Sequence, residues 1–328
     1  MASGNNRLAV PARFVHSPMP ARDPAVLRLA LVALATALVA ALALGLGSGG
    51  WDWQLITALR APRVAAAAGV GSLLALAGLA LQVLLRNPLA DPYVLGHSTG
   101  ASVGALAALL LGLQLWIGAA LGALVAGLLL LLLARSALAT SDDASPKLIL
   151  LGTMLAAVFG AIATLMLALV PDQRLRGAIF WMVGDLSGAG ASLWNLAAAA
   201  VFVAWLWSRG RSVDRLMLGA DAAWLLGEPV RRLRLELLVF ASLAVGLAVS
   251  TSGSVGFVGL VVAQGWRLAG VLRTRELAWL SMLSGAALLM GADLLARIAV
   301  APLELPVGAV MALIGAPCFI WFLARGVK

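Results

Sequence analysis

PYVLGHSTGASVGALAALLLGLQLWIGAALGALVAGLLLLLLA, residues 92–134, runs for 43 residues without one Asp, Glu, Lys or Arg. A bilayer core about 30 Å thick takes roughly 20 helical residues to cross. The run therefore holds two spans, with a hairpin expected over Gly112 to Trp116. Its glycines, in the stretches Gly100 to Gly104 and Gly118 to Gly127, let helix backbones approach closely and predict a tightly packed bundle.

Working outward, the same ruler places Leu29–Trp51 as a first span, Val64–Leu85 as a second and Leu148–Pro171 as a fifth. A broken segment from Asp172 to Gly190, with Asp172, Arg174, Arg176 and Asp185, is expected to lie along the surface. A sixth span covers about 191–207. After the polar interruption from Arg209 to Arg234, a seventh reaches about Thr251. Val255–Leu272 is a short eighth, interrupted by Arg267; Glu276–Val300 is a ninth with Asp293 inside it; Leu305–Ala324 is a tenth. The expected fold is all-α, a polytopic membrane protein of about ten transmembrane helices. Residues 1–28, with Arg7, Arg13, Arg22, Arg28 and four prolines, read as a basic cytoplasmic leader. The uncharged run after them is too long for the apolar core of a signal peptide.

Composition excludes other classes. Apolar residues make up 62% of the 328, before counting 35 glycines, against about 45–50% with Gly included in soluble domains. Charged residues make up 11% and arrive in clusters. The net charge of +9 reads as topology signal rather than a nucleic-acid footprint. With the N-terminus inside, 18 of the 23 Lys and Arg fall on the cytoplasmic side together with both termini. The five outside are Arg60, Arg63, Arg174, Arg176 and Arg297, and they need a reason of their own. One cysteine, Cys318, and two histidines, His16 and His97, leave no disulfide framework and no His-rich metal site. Neither Lys147 nor Lys328 follows the glycines of a phosphate loop, so the chain does not hydrolyse nucleotide through one.

Several short words mark the chain. Arg60-Ala61-Pro62-Arg63 precedes the second span. Arg86-Asn87-Pro88-Leu89-Ala90-Asp91-Pro92 follows it, and Leu95-Gly96 and Gly100-Ala101 open the third. Gly219 to Gly227 lies in the longest polar interruption, and Gly256-Phe257-Val258-Gly259-Leu260 opens the eighth span. Leu305-Pro306-Val307-Gly308 and Gly315-Ala316-Pro317 mark the last. In this order, over almost the whole chain from Arg60, they resemble the permeases of bacterial ABC importers for iron-siderophores, haem and cobalamin, the iron-chelate permease family of type II importers.

The resemblance implies a cobalamin-permease-like bundle of ten helices, with residues 29–328 as a single permease domain and a cytoplasmic coupling loop at about 209–232. The chain would sit in the bacterial inner membrane and pass a metal chelate from periplasm to cytoplasm. Its implied partners are a second permease copy or paralogue, two ATPase subunits, a periplasmic substrate-binding protein and the lipid bilayer, with no nucleic acid. ATP and Mg would be used by the ATPase, and this chain would hold no cofactor or metal and catalyse no bond chemistry.

Three sets of residues carry the expected roles. Leu218, Gly219, Ala223, Leu226 and Gly227 form the ATPase coupling loop: an apolar helical face between two glycine turns can transmit motion by rigid contact, and Ala223 leaves room for close approach. Asn87, Pro88, Leu89 and Ser145 are expected to close the cytoplasmic end of the pathway. Arg60, Arg63 and Arg297 are expected to form an exposed basic patch that docks acidic residues of the binding protein. Asp293 and Arg297, four residues apart, can pair along one helix face, which lowers the cost of burying them.

The chain also departs from the family. Val261-Val262-Ala263-Gln264 stands where Pro-His is usual, Asp185 where Ser is usual, and His97 where an apolar residue is usual. His97 reads as a packing residue and the scattered methionines as core filler. The rival function, an ion-coupled secondary transporter of a small solute, would need carboxylates at mid-membrane. Glu236, Asp293 and Asp185 all lie toward span ends.

Overall fold

The computed structural model describes residues 24–47, 50–139, 144–190 and 193–326. Most of the basic leader, with Arg7, Arg13 and Arg22, lies outside the described residues, as does Lys328. The described chain is helical: α1 (Pro24–Gly45), α2 (Trp53–Leu55), α3 (Ala61–Leu84), α4 (His97–Leu110), α5 (Leu115–Ala139), α6 (Ala144–Leu167), α7 (Asp172–Val183), α8 (Leu193–Met217), α9 (Ala220–Leu225), α10 (Val230–Ser252), α11 (Val258–Leu268), α12 (Thr274–Ile298) and α13 (Val307–Gly326). A π-helical turn, Ile56–Arg60, joins α2 to α3, and a 3-10 turn, Pro92–Leu95, leads into α4. Setting aside α2, α7 and α9, the remaining ten correspond one to one with the ten expected spans.

The opening run folds as its glycines predict. α4 and α5 are joined by a turn over residues 111–114, with Gly112 at a φ of 71°. They cross so closely that a Cβ on Gly104 would overlap the Gly118 carbonyl oxygen, and one on Gly122 that of Gly100.

α3 is the axis of the bundle. Twenty of its 24 residues are buried, which is why its sequence is apolar all round rather than on one stripe. α12, α10, α8 and α11 pack around it. Gly71 abuts Gly285 of α12, and Gly78 abuts Gly259 of α11. Two of its polar side chains donate across helices: Ser72 to the Met282 carbonyl at 3.0 Å and Gln82 to that of Gly259 at 3.4 Å, while Gln82 Oε1 has no partner. α1, α5 and α6 lie at the periphery with large apolar side chains such as Leu34, Leu128 and Val158 exposed, as a lipid-facing surface requires.

Three expectations change. α1 covers Pro24–Gly45 and so takes in Arg28, which ion-pairs with Glu276 of α12 at 3.2 Å. The segment expected to be broken is helical over its first part, α7, which is exposed along most of its length as a surface segment should be, and turns irregular only over 184–190. α8 runs on to Met217, so much of the polar interruption is helix rather than loop. Among the described residues, six helices are long and apolar enough to cross a membrane by length and composition alone. α4 and α11, at 14 and 11 residues, are too short to cross by themselves.

Candidate functional site

α3 and α12 run antiparallel. The Arg63 end of α3 meets the Asp293 end of α12, and the Arg86 end of α3 lies beside Gly219, next to the first turn of α12 and the end of α8. These helices are 24 and 25 residues long, which separates the two ends by roughly 36 Å at 1.5 Å per residue.

At the Asp293 end, the expected arginines converge. Arg63 Nε donates to Asp293 Oδ1 at 2.8 Å, and its Nη1 to Glu304 Oε2 at 2.7 Å. Arg297 Nε lies 3.1 Å from Asp293 Oδ2, the four-residue pair expected from the sequence. The patch is not an exposed rim, however: Arg60, Arg63 and Arg297 are only 6%, 8% and 7% exposed. The cause is the end of α1, whose last carbonyls have no helical partner. Arg297 donates to Ala43 O at 2.9 Å, and Arg60 to the carbonyls of Leu44, Gly45 and Gly50. Two guanidiniums thus cap the negative end of a helix dipole, while Asp293 and Glu304 hold the third. The arginines line an open cleft with Glu304 and Ser187, and Glu304 is half-exposed there.

Between the ends, two breaks in helical backbone face each other. Tyr93 Oη accepts from the Val255 N–H, the hydroxyls of Ser98 and Ser254 bond, and the Asp91 carboxylate accepts from the N–H groups of Tyr93 and Phe257. Irregular backbone inside a bundle needs such internal partners. Farther along, Gly253 and Gly308 press on the carbonyls of Trp181 and Val183 so closely that a Cβ on either would overlap them. The segments 181–184 and 253–255 and the turn at Gly308 are therefore one packing knot. Asp185, unusual for the family, accepts from the Ser187 N–H at 2.8 Å within a local turn. Ala263 is fully buried in α11, while the Oε1 of the half-buried Gln264 has no partner. His97 is 1% exposed with neither ring nitrogen bonded, packed beside Gly127 and Ser242.

At the other end, α9 sits between Gly219, at a φ of 124°, and Gly227, at 80°, as the two glycine turns predicted. Its orientation corrects one expectation. Ala223 is completely buried against the bundle, and the outward face is made by Leu218, Trp224, Leu225 and Leu226, with Trp224 70% and Leu225 77% exposed. The burial follows from α9's short turn, which closes with Glu228 N donating to Ala223 O at 3.0 Å while Arg215 of α8 ion-pairs with Glu228. Trp224 and Leu225 were the residues missed; the sequence showed the apolar face but not which side packs inward. The Asn87 turn is exposed at Pro88 and Leu89, with Asn87 Oδ1 accepting from the Leu89 N–H at 2.9 Å. Ser145 lies in the first turn of α6; its side chain is outside the described residues.

The carboxylates that a secondary transporter would need are committed elsewhere. Glu236 pairs with Arg232 at 2.8 Å and Arg209 at 3.5 Å, Asp293 with two arginines, and Asp185 with its own turn.

Comparison with known proteins gives consistent matches. The FecCD transport family matches residues 24–325. The chain is 42% identical over 280 residues to the vitamin B12 import system permease protein BtuC of Vibrio cholerae, covering 83% of each chain. It is 40% identical over 275 residues to the uncharacterized ABC transporter permease protein YvrB of Bacillus subtilis, covering 81% of this chain and 78% of that one. A solved structure described as an inward-facing conformation of a metal-chelate type ABC transporter superposes with a TM-score of 0.82 at 27% identity, covering 92% of this chain and 99% of the other.

Proposed function

Because this chain belongs to the FecCD transport family, we propose that it is the membrane subunit of an ATP-driven importer that carries a metal chelate, with cobalamin the leading candidate, across a bacterial inner membrane. The observation that carries the reading is α9. An apolar knuckle of Leu218, Trp224 and Leu225 stands out from the most arginine-rich interruption of the chain, stiffened by two glycine turns and the Arg215–Glu228 pair. Exposed apolar surface of this kind marks a protein interface. The excess of Lys and Arg on this side supports a cytoplasmic position for it, where the ATPase would work, with both termini on the same side. The identity to the BtuC relative supports cobalamin as cargo.

In this reading the cleft at the Asp293 end receives the binding protein. Glu304, half-exposed, occupies Arg63, so an incoming carboxylate competes with it for a preorganised guanidinium. The turn at Asn87, Pro88 and Leu89, with the Ser145 end of α6, closes the cytoplasmic mouth between two permease copies. The test is uptake of labelled cyanocobalamin by cells that lack their own cobalamin permease and express this chain with its ATPase and binding protein. Uptake that depends on all three supports the reading. Uptake of haem or a ferric siderophore but not cobalamin would reassign the cargo, and no uptake of any of them would reject the importer.

A further inference from the structure

The first turn of α12 is held by α8 rather than by itself. Its own N-cap residue, Arg273, makes no side-chain cap, leaving the first N–H groups of the helix to find partners elsewhere. Asp214 of α8 supplies one: its Oδ1 accepts from the Thr274 N–H at 2.9 Å and from the Thr274 hydroxyl at 2.5 Å. Thr274 is fully buried at this contact. One turn up α8, the Arg275 side chain lies across Gly210, where a Cβ would meet its Cγ at 2.5 Å. Its guanidinium ends over the Trp207 ring, 5.0 Å from the centroid, and Nε donates to Trp207 O at 3.0 Å. Trp207, Gly210 and Asp214 are spaced three and four apart, so they form one stripe of α8. That stripe is a seat for Thr274 and Arg275, built from a charged cap, a cation over an aromatic face and a residue with no side chain to obstruct them.

The position of this seat gives it a consequence. α8 leads directly through Leu218 and Gly219 into α9. From the seat, α12, 25 residues long and free of proline, carries Asp293 and Arg297 toward its other end. We propose that the Trp207–Gly210–Asp214 seat and the Thr274–Arg275 turn form a latch that joins the α9 knuckle to α12 as one moving body, so that events at the Asp293 cleft are felt at α9 and the reverse. These are positioning residues: they touch neither cargo nor nucleotide. The proposal rests on the reading of α9 as the ATPase contact and of the Asp293 cleft as the binding-protein seat.

The complete importer, reconstituted in liposomes with its ATPase and binding protein, tests this through the ratio of binding-protein-stimulated to basal ATP hydrolysis. That readout does not depend on the cargo. Asp214→Ala combined with Arg275→Ala should lower the ratio about fivefold or more, the size of an ordinary coupling between sites, while ATPase co-purification and basal hydrolysis stay at their starting values. Asp214→Cys with Thr274→Cys, in a Cys318→Ser background, should show the same loss when reduced and recover the ratio when oxidised to a disulfide. A reduced pair with the full ratio, or an oxidised pair that fails to recover it, overturns the latch. Loss of ATPase co-purification in the latch variants also overturns it, since the contacts would then merely support the docking surface. The reading of α9 is judged separately: if Leu225→Asp still co-purifies with the ATPase, that reading fails whatever the latch variants do.

Discussion

At the Asp293 end of the bundle, three arginines and an aspartate are drawn beneath the surface, while at the α9 end four large apolar side chains stand out from it. The difference shows what each end is built against. The arginines can be buried because their counter-charges and carbonyls come from α1, α12 and the 299–306 loop, so each guanidinium is met on arrival. Trp224 and Leu225 can be exposed because α9 is fixed by its glycine turns and by Ala223 packing inward, so the knuckle keeps its shape without collapsing onto the bundle. One end meets its charges internally and leaves Glu304 half-exposed, and the other turns apolar side chains outward.

The sharpest way to break this contrast is at Asp293. Asp293→Ala leaves Arg63 and Arg297 facing each other without their shared carboxylate, and breaking a buried pair costs about 3–5 kcal/mol. The thermal midpoint of the purified protein, followed by tryptophan fluorescence, should fall steeply; an unchanged midpoint would mean that this end is not held by charge. At the other end Leu225→Asp should reverse the pattern. Association with the ATPase should weaken by about 2 kcal/mol, or roughly 30-fold, while the thermal midpoint holds, as for surface substitutions generally. A midpoint drop as large as that of Asp293→Ala would show that the knuckle is part of the bundle after all.

Midway between the ends, Gly71→Ala forces a Cβ into the Gly285 carbonyl, and overpacking of this kind costs about 1–3 kcal/mol. Because this crossing sets how α3 and α12 approach, the substitution should lower the midpoint and also loosen the Arg63–Asp293 contact, detectable as faster hydrogen exchange at the Asp293 end. Exchange confined to residues near 71 would separate the crossing from the ion cluster. The smallest effect, and of opposite sign, is expected at His97, whose two ring nitrogens are buried without partners. His97→Leu removes that desolvation penalty and should stabilise by about 1 kcal/mol; a lower midpoint would show that the imidazole is needed in place.

Much of this architecture is legible in the amino-acid order alone. The uncharged runs locate the ten helices, and Gly104, Gly118 and Gly71 mark real backbone contacts, because lipid burial and close approach both write local signatures. Gly219 and Gly227 mark the ends of a short helix for another local reason, their positive φ. The inward direction of Ala223 is not legible: six residues of α9 give less than two full turns of periodicity, too little to say which face packs. Nor is the burial of Arg60 and Arg297. A charge count records that a positive residue stands on the wrong side of the membrane, and is silent about a carbonyl at the end of another helix.

Hydropathy and glycine spacing act over a few residues at a time, so the amino-acid order alone carries the ten long or apolar spans in their sequence, the bias of positive charge, and the words that place the chain among its relatives. The meeting of Arg63 with Asp293, 230 residues away, and the capping by Asp214 of a helix 60 residues on come from the packing of the whole bundle. The free energy of those contacts depends on distances of about 3 Å between helices. Such distances are set by how α3, α8 and α12 pack together, not by any one helix's own composition.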